Sequence, residues 1–130
     1  MSAMQYNEKI MERFLSPENI GEDPEADGIG EVGGGECGDL TRIYLRVENG
    51  SVTGARFTSF GCVGAVAAGS AAAQLALGRT PEQAAEFSAG EIVEVLGDFP
   101  EEKQHCPENA ALAVRRAAED YIRKGREKGK

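Results

Sequence analysis

Apolar residues recur at helical spacing near the start of the chain. Tyr6, Ile10 and Phe14, with Met11 and Leu15 beside them, predict a short amphipathic helix over residues 5–15. Ser16-Pro17 ends it, because a residue preceding proline is pushed out of the helical region. Leu40–Glu48 alternates instead: Thr41, Ile43, Leu45 and Val47 fall on one face, and Arg42, Tyr44, Arg46 and Glu48 on the other. Asn49-Gly50 follows, a two-residue hairpin signal because both positions tolerate positive φ, and Val52–Phe60 returns as the next strand. A further short strand is expected around Ile29–Val32.

Beyond Cys62 the pattern changes to an Ala- and Gly-rich run from Val63 to Leu77, closed by Gly78, which predicts a helix able to pack closely on the sheet. Thr80-Pro-Glu-Gln83 and Ser88-Ala-Gly-Glu91 are capping boxes and start two short helices, the second ending at Gly97. A loop, Asp98–His105, leads to a last helix from about Glu108 to Lys124, with Ala111, Val114, Ala118 and Tyr121 as its buried stripe. The predicted class is α+β: a three-stranded antiparallel sheet, an N-terminal helix and four further helices packed mainly on one face. No internal repeat interrupts residues 1–130, which read as a single domain.

Composition narrows the function. A net charge of −8 excludes a general nucleic-acid binder, which needs a basic surface to neutralise phosphates. The N-terminal residues lack the apolar core of a signal peptide, and the run Gly61–Ala73 is too short to span a bilayer, so a cytoplasmic protein without membrane contact is expected. Residues 18–27 read mostly as a solvated acidic loop. The basic stretch from Arg115 to Lys130 reads as a solvated helix face in preference to a docking surface. Gly28-Ile-Gly-Glu-Val-Gly33 matches a dinucleotide-binding pattern, but more glycine and a strand follow where a helix is required, so that reading is rejected.

The cysteines carry the candidate chemistry. An odd count of three cannot pair fully within the chain and points to a reducing compartment. Cys37 lies in a Gly-rich turn, Cys62 between a strand end and a helix start, and Cys106 near the start of the last helix. None falls in an apolar stripe. Helix N-termini at Cys62 and Cys106, with Lys103 and His105 near the latter, favour thiolate. Three converging thiolates would make an incomplete tetrahedral metal site. Asp39 and His105, the sole histidine, are the candidates for a fourth ligand. On the residues alone, three unrelated thiols remain the alternative.

Several segments together resemble the IscU/NifU family of iron–sulfur cluster scaffolds: Met11-Glu-Arg-Phe-Leu-Ser-Pro-Glu-Asn19, Ala26-Asp-Gly-Ile-Gly30, Cys37-Gly-Asp39, Thr58-Ser-Phe-Gly-Cys62, Lys103-Gln-His-Cys106 and Glu119-Asp-Tyr121. They span nearly the whole chain in the family's order. The resemblance implies a carrier rather than a turnover enzyme. A cysteine desulfurase would supply sulfur, iron(II) would be added, and a transient [2Fe–2S] cluster would pass to apo-proteins. It implies Cys37, Cys62 and Cys106 as ligands, Cys106 also as persulfide acceptor, Asp39 and His105 as further ligands, and Lys103 as a modulator.

Phe99-Pro-Glu-Glu-Lys103 departs from the Leu-Pro-Pro-Val-Lys that an Hsp70-type chaperone recognises in the family, which makes chaperone-assisted release doubtful. The insertion between the second and third cysteines of zinc-dependent SufU relatives is absent. The alternatives are a zinc-dependent sulfurtransferase and a structural zinc module. Exposed thiols beside the Ala/Gly helix would suit a homodimer sharing one cluster.

Overall fold

The computed structural model describes residues 6–33 and 40–128, with side chains as far as Gly125. Three strands, β1 (Gly28–Gly33), β2 (Leu40–Glu48) and β3 (Ser51–Phe60), form an antiparallel meander in the order β1-β2-β3. The β2–β3 turn has the expected chemistry: Asn49 and Gly50 take φ of 54° and 81°, the left-handed pair that matches strand twist. Among the described residues there are five helices: α1 (Glu8–Leu15), α2 (Val63–Ala76), α3 (Pro81–Ala84), α4 (Ala89–Leu96) and α5 (His105–Lys128). A 3-10 turn, Glu101–Lys103, precedes α5. No described helix is long and apolar enough to cross a membrane.

The helices α2 and α5 lie on one face of the sheet, α2 against β3 and α5 chiefly against β1. The absence of large side chains on α2 is what allows this. Ala67, Ala68, Ala71, Ala72 and Ala73 are fully buried, and a Cβ on Gly69 would stand 2.7 Å from the Phe57 ring. Phe57, Ile43 and Leu45 supply the sheet side of the core, with Phe87, Ile92 and Leu96 beneath the helices.

Glycines of β1 serve the same close packing. A Cβ on Gly28 would meet the Ala117 carbonyl oxygen at 2.3 Å, and one on Gly30 the Ala113 oxygen at 2.1 Å. The glycine pattern that mimics a dinucleotide motif therefore seats a helix. The free edge of β1 is closed by side chains of α5: the Ile29 N–H donates to Asp120 at 3.0 Å, and Arg116 donates to the Glu31 carbonyl at 2.8 Å.

The structure corrects three sequence expectations. The first helix starts at Glu8, because Asn7 is its N-cap and accepts from the Ile10 N–H at 2.8 Å, so Tyr6 precedes the helix. The last helix begins at His105, three residues before Glu108. Pro107 falls in its first turn, where a missing N–H costs nothing. Residues 18–27 are not a simple solvated loop. The Gly21 N–H donates to the Phe57 carbonyl at 2.8 Å and the Phe57 N–H to Asn19 at 2.9 Å, which covers the β3 edge, while buried Asp23 pairs with Arg46. The basic stretch stands as expected, a solvated helix face: Arg116, Arg123 and Lys124 are exposed, the last two paired with Asp120, and only half-buried Arg115 turns inward, to the Phe87 carbonyl at 2.7 Å.

Candidate functional site

Cys62 and Cys106 meet at one end of the sheet, although 44 residues separate them. The strand β3 ends at Phe60, Gly61 turns the chain with φ 156°, and Cys62 becomes the N-cap of α2. Cys106 lies in the first turn of α5, after the 3-10 turn reverses the chain. Each sulfur therefore stands at the amino end of a helix lying on the sheet, where partial positive charge gathers. The two Sγ atoms are 3.8 Å apart, in contact but without a disulfide bond between them. His105 Nε2 is also 3.8 Å from Cys106 Sγ.

Cys106 is only 3% exposed, whereas the sequence suggested exposed thiols. Gly64 and Tyr6 account for this. A Cβ on Gly64 would stand 3.1 Å from Cys106 Sγ and 3.1 Å from the Tyr6 ring, so the lack of a side chain lets both close over the site. Phe60, by contrast, is 74% exposed at the rim.

The electrostatics at Cys62 run in both directions. Burial pushes its thiol pKa up, but hydrogen bonds from Tyr6, the Ala65 amide and Cys106, and the charge of Lys103, bring it below the ordinary value. Tyr6 pays the converse cost: its hydroxyl is held well above the ordinary range by burial first, and then by its hydrogen bond to Cys62. Cys62 therefore ionises more readily than an ordinary cysteine in its half-buried setting, which suits it to bind a soft metal or attack a sulfur.

Of the predicted site residues, the structure brings together Cys62, Cys106, His105 and the charge of Lys103. Cys37 and Asp39 lie outside the described residues. Among the described residues no three His, Cys, Asp or Glu side chains form a group able to hold a metal ion. The participant missed from the sequence is Tyr6, assigned there to a helix stripe. Its signal was Asn7, an N-cap residue that starts the helix after it. Asn7 also donates to the Leu96 carbonyl at 2.9 Å, and a Cβ on Gly97 would lie 2.7 Å from its Nδ2, so the residue next to Tyr6 is locked to the end of α4.

The family model for the NifU-like N terminal domain matches residues 5–128. The chain is 41% identical over 119 residues to the iron–sulfur cluster assembly scaffold protein IscU 1 of Archaeoglobus fulgidus, covering 92% of this chain and 78% of that protein. A crystal structure of a NifU-like N-terminal protein from Brucella abortus superposes with a TM-score of 0.63 at 25% identity, covering 94% of each chain. A putative SUF-system scaffold structure from Fervidobacterium islandicum gives 0.72 at 17% identity, over 87% of this chain and 96% of that one, a likeness of fold.

Proposed function

The chain belongs to the NifU-like N-terminal family that includes the IscU scaffolds, and from that premise we propose that it is an iron–sulfur cluster assembly scaffold. It accepts sulfur from a cysteine desulfurase on Cys106. On Cys37, Cys62 and Cys106, with Asp39 or His105 completing the set, it assembles a transient [2Fe–2S] cluster from iron(II) and sulfide. It then passes the cluster to apo-proteins in the cytoplasm. The cluster is cargo, so a weak fourth ligand is an advantage: a carboxylate or exchanging imidazole holds sulfur-bound iron less firmly than thiolate does.

The observation that carries this reading is the meeting of two thiols and an imidazole nitrogen at 3.8 Å separations on two helix N-termini. Cys37 belongs to the short connection between Gly33 of β1 and Leu40 of β2, and Leu40 pairs with Phe60, two residues before Cys62. Lys103 adds positive charge that draws an anionic persulfide or cluster toward the thiols.

Anaerobic reconstitution with iron(II) and a desulfurase tests the ligand set. Replacement of Cys37, Cys62 or Cys106 by Ser abolishes the visible cluster absorption, and replacement of His105 by Ala changes its spectrum or lifetime without abolishing it. A Cys106→Ser protein that holds a cluster as long as the unsubstituted chain does would sink the assignment.

A further inference from the structure

Cluster assembly consumes sulfide, but a persulfide delivers sulfur at the oxidation level of the element. Two electrons must come from somewhere. The described thiols suggest a source within the chain. Cys62 Sγ and Cys106 Sγ touch at 3.8 Å. Cys106 is 3% exposed, and a Cβ on Gly64 would stand only 3.1 Å from its sulfur, so the sulfur is confined beside Cys62. Each cysteine is fixed by a helix start, not by a loop of its own.

We propose that Cys62 is the resolving thiol of a Cys106 persulfide. The inference rests on Cys106 being the sulfur acceptor of the proposed function. The Cys62 thiolate attacks Cys106 Sγ, the inner sulfur of the persulfide. A Cys62–Cys106 bond forms, the bond to the outer sulfur breaks, and the outer sulfur departs with its proton and the electron pair as hydrosulfide. The two cysteine sulfurs together supply the two electrons and end as a disulfide. Nothing else is consumed in this step. A dithiol reductant must then reopen the disulfide before the thiols can bind iron. Which sulfur is attacked decides the outcome in thiol exchange, and the contact seen here is with the inner one. Attack on the outer sulfur would instead move the persulfide to Cys62 without releasing sulfide.

The test uses the full metal-free chain, held anaerobically, loaded with inorganic polysulfide and freed of excess reagent, with no reductant present. The expected result is release of hydrosulfide in step with a Cys62–Cys106 disulfide found by peptide mass mapping. Cys62→Ser retains its extra sulfur on Cys106 and releases sulfide at least about tenfold more slowly. Equal release from Cys62→Ser, a disulfide to Cys37, or a persulfide found on Cys62 would overturn the proposal. Failure of the underlying reading looks different: Cys62→Ser would then carry no extra sulfur on Cys106 at all, and both ideas would fall. Should Cys62→Ser not fold, the disulfide map of the unsubstituted chain decides alone.

Discussion

Gly30 lies so close to α5 that a Cβ on it would stand 2.1 Å from the carbonyl oxygen of Ala113 and 2.3 Å from the Ala117 nitrogen. Both neighbours are backbone, so neither can swing aside. Gly30→Ala is expected to cost at least about 3 kcal/mol by lifting α5 from β1. Thermal unfolding checks this. An alanine tolerated there within a few tenths of a kcal/mol would show that the glycine has some other purpose.

Asp23 and Arg46 make a second long-range tie, with two hydrogen bonds of 2.6 and 2.8 Å. Arg46 remains partly in solvent and can rehydrate, so Asp23→Ala is expected to cost only about 1 kcal/mol. The measurement is the urea midpoint, which should fall with an unchanged slope.

Acid should weaken the fold through the same group. The Arg46 hydrogen bonds hold the Asp23 carboxyl below its ordinary 3.8, and Arg79 holds Glu91 below its ordinary 4.5. A carboxyl whose folded pKa is lowered adds stability above its unfolded pKa and loses it as pH falls through the folded value. Stability should therefore be level between about pH 5 and 7 and drop below about pH 4, with a smaller drop in Asp23→Ala. An equal drop in that variant would assign the acid response elsewhere.

Tyr6→Phe keeps the ring over the site and removes the hydroxyl that favours the Cys62 thiolate. In the metal-free protein, alkylation of Cys62 at pH 7 should slow by about fivefold, the worth of one hydrogen bond. Site-resolved mass spectrometry gives the rate. An unchanged rate would mean that Ala65, Cys106 and Lys103 suffice.

Legibility in the sequence followed the range of the interactions involved. The Asn49-Gly50 turn and the boxes Thr80–Gln83 and Ser88–Glu91 depend on neighbours, and each stands where the pattern placed it. The ordering of residues 18–27 depends on Phe57, Arg46 and Ser70, which no local pattern reveals. Tyr6 satisfied the helical period with Ile10 and Phe14, and only the N-cap of Asn7 argued against that placement. For the cysteines, residue type and flanking helix starts indicated thiolate character. The meeting of Cys62 with Cys106 is a product of the sheet carrying both helices, and spacing alone could not give it.

As a proposed fourth ligand, Asp39 would control how long the cargo stays. Asp39→Ala is expected to hold its cluster several-fold longer and to pass it more slowly to an apo-ferredoxin, as expected when a hard carboxylate leaves a soft site. Faster bleaching of the visible absorption in that variant would remove Asp39 from the role.

The most direct test of the scaffold is its metal and sulfide content after anaerobic purification, read with the visible spectrum. A scaffold should carry iron and acid-labile sulfide in equal amounts with a charge-transfer absorption, their ratio to protein telling one cluster per chain from one shared by two. Tightly held zinc alone, which iron and a sulfur donor fail to displace, would contradict it and favour a zinc-dependent sulfur carrier.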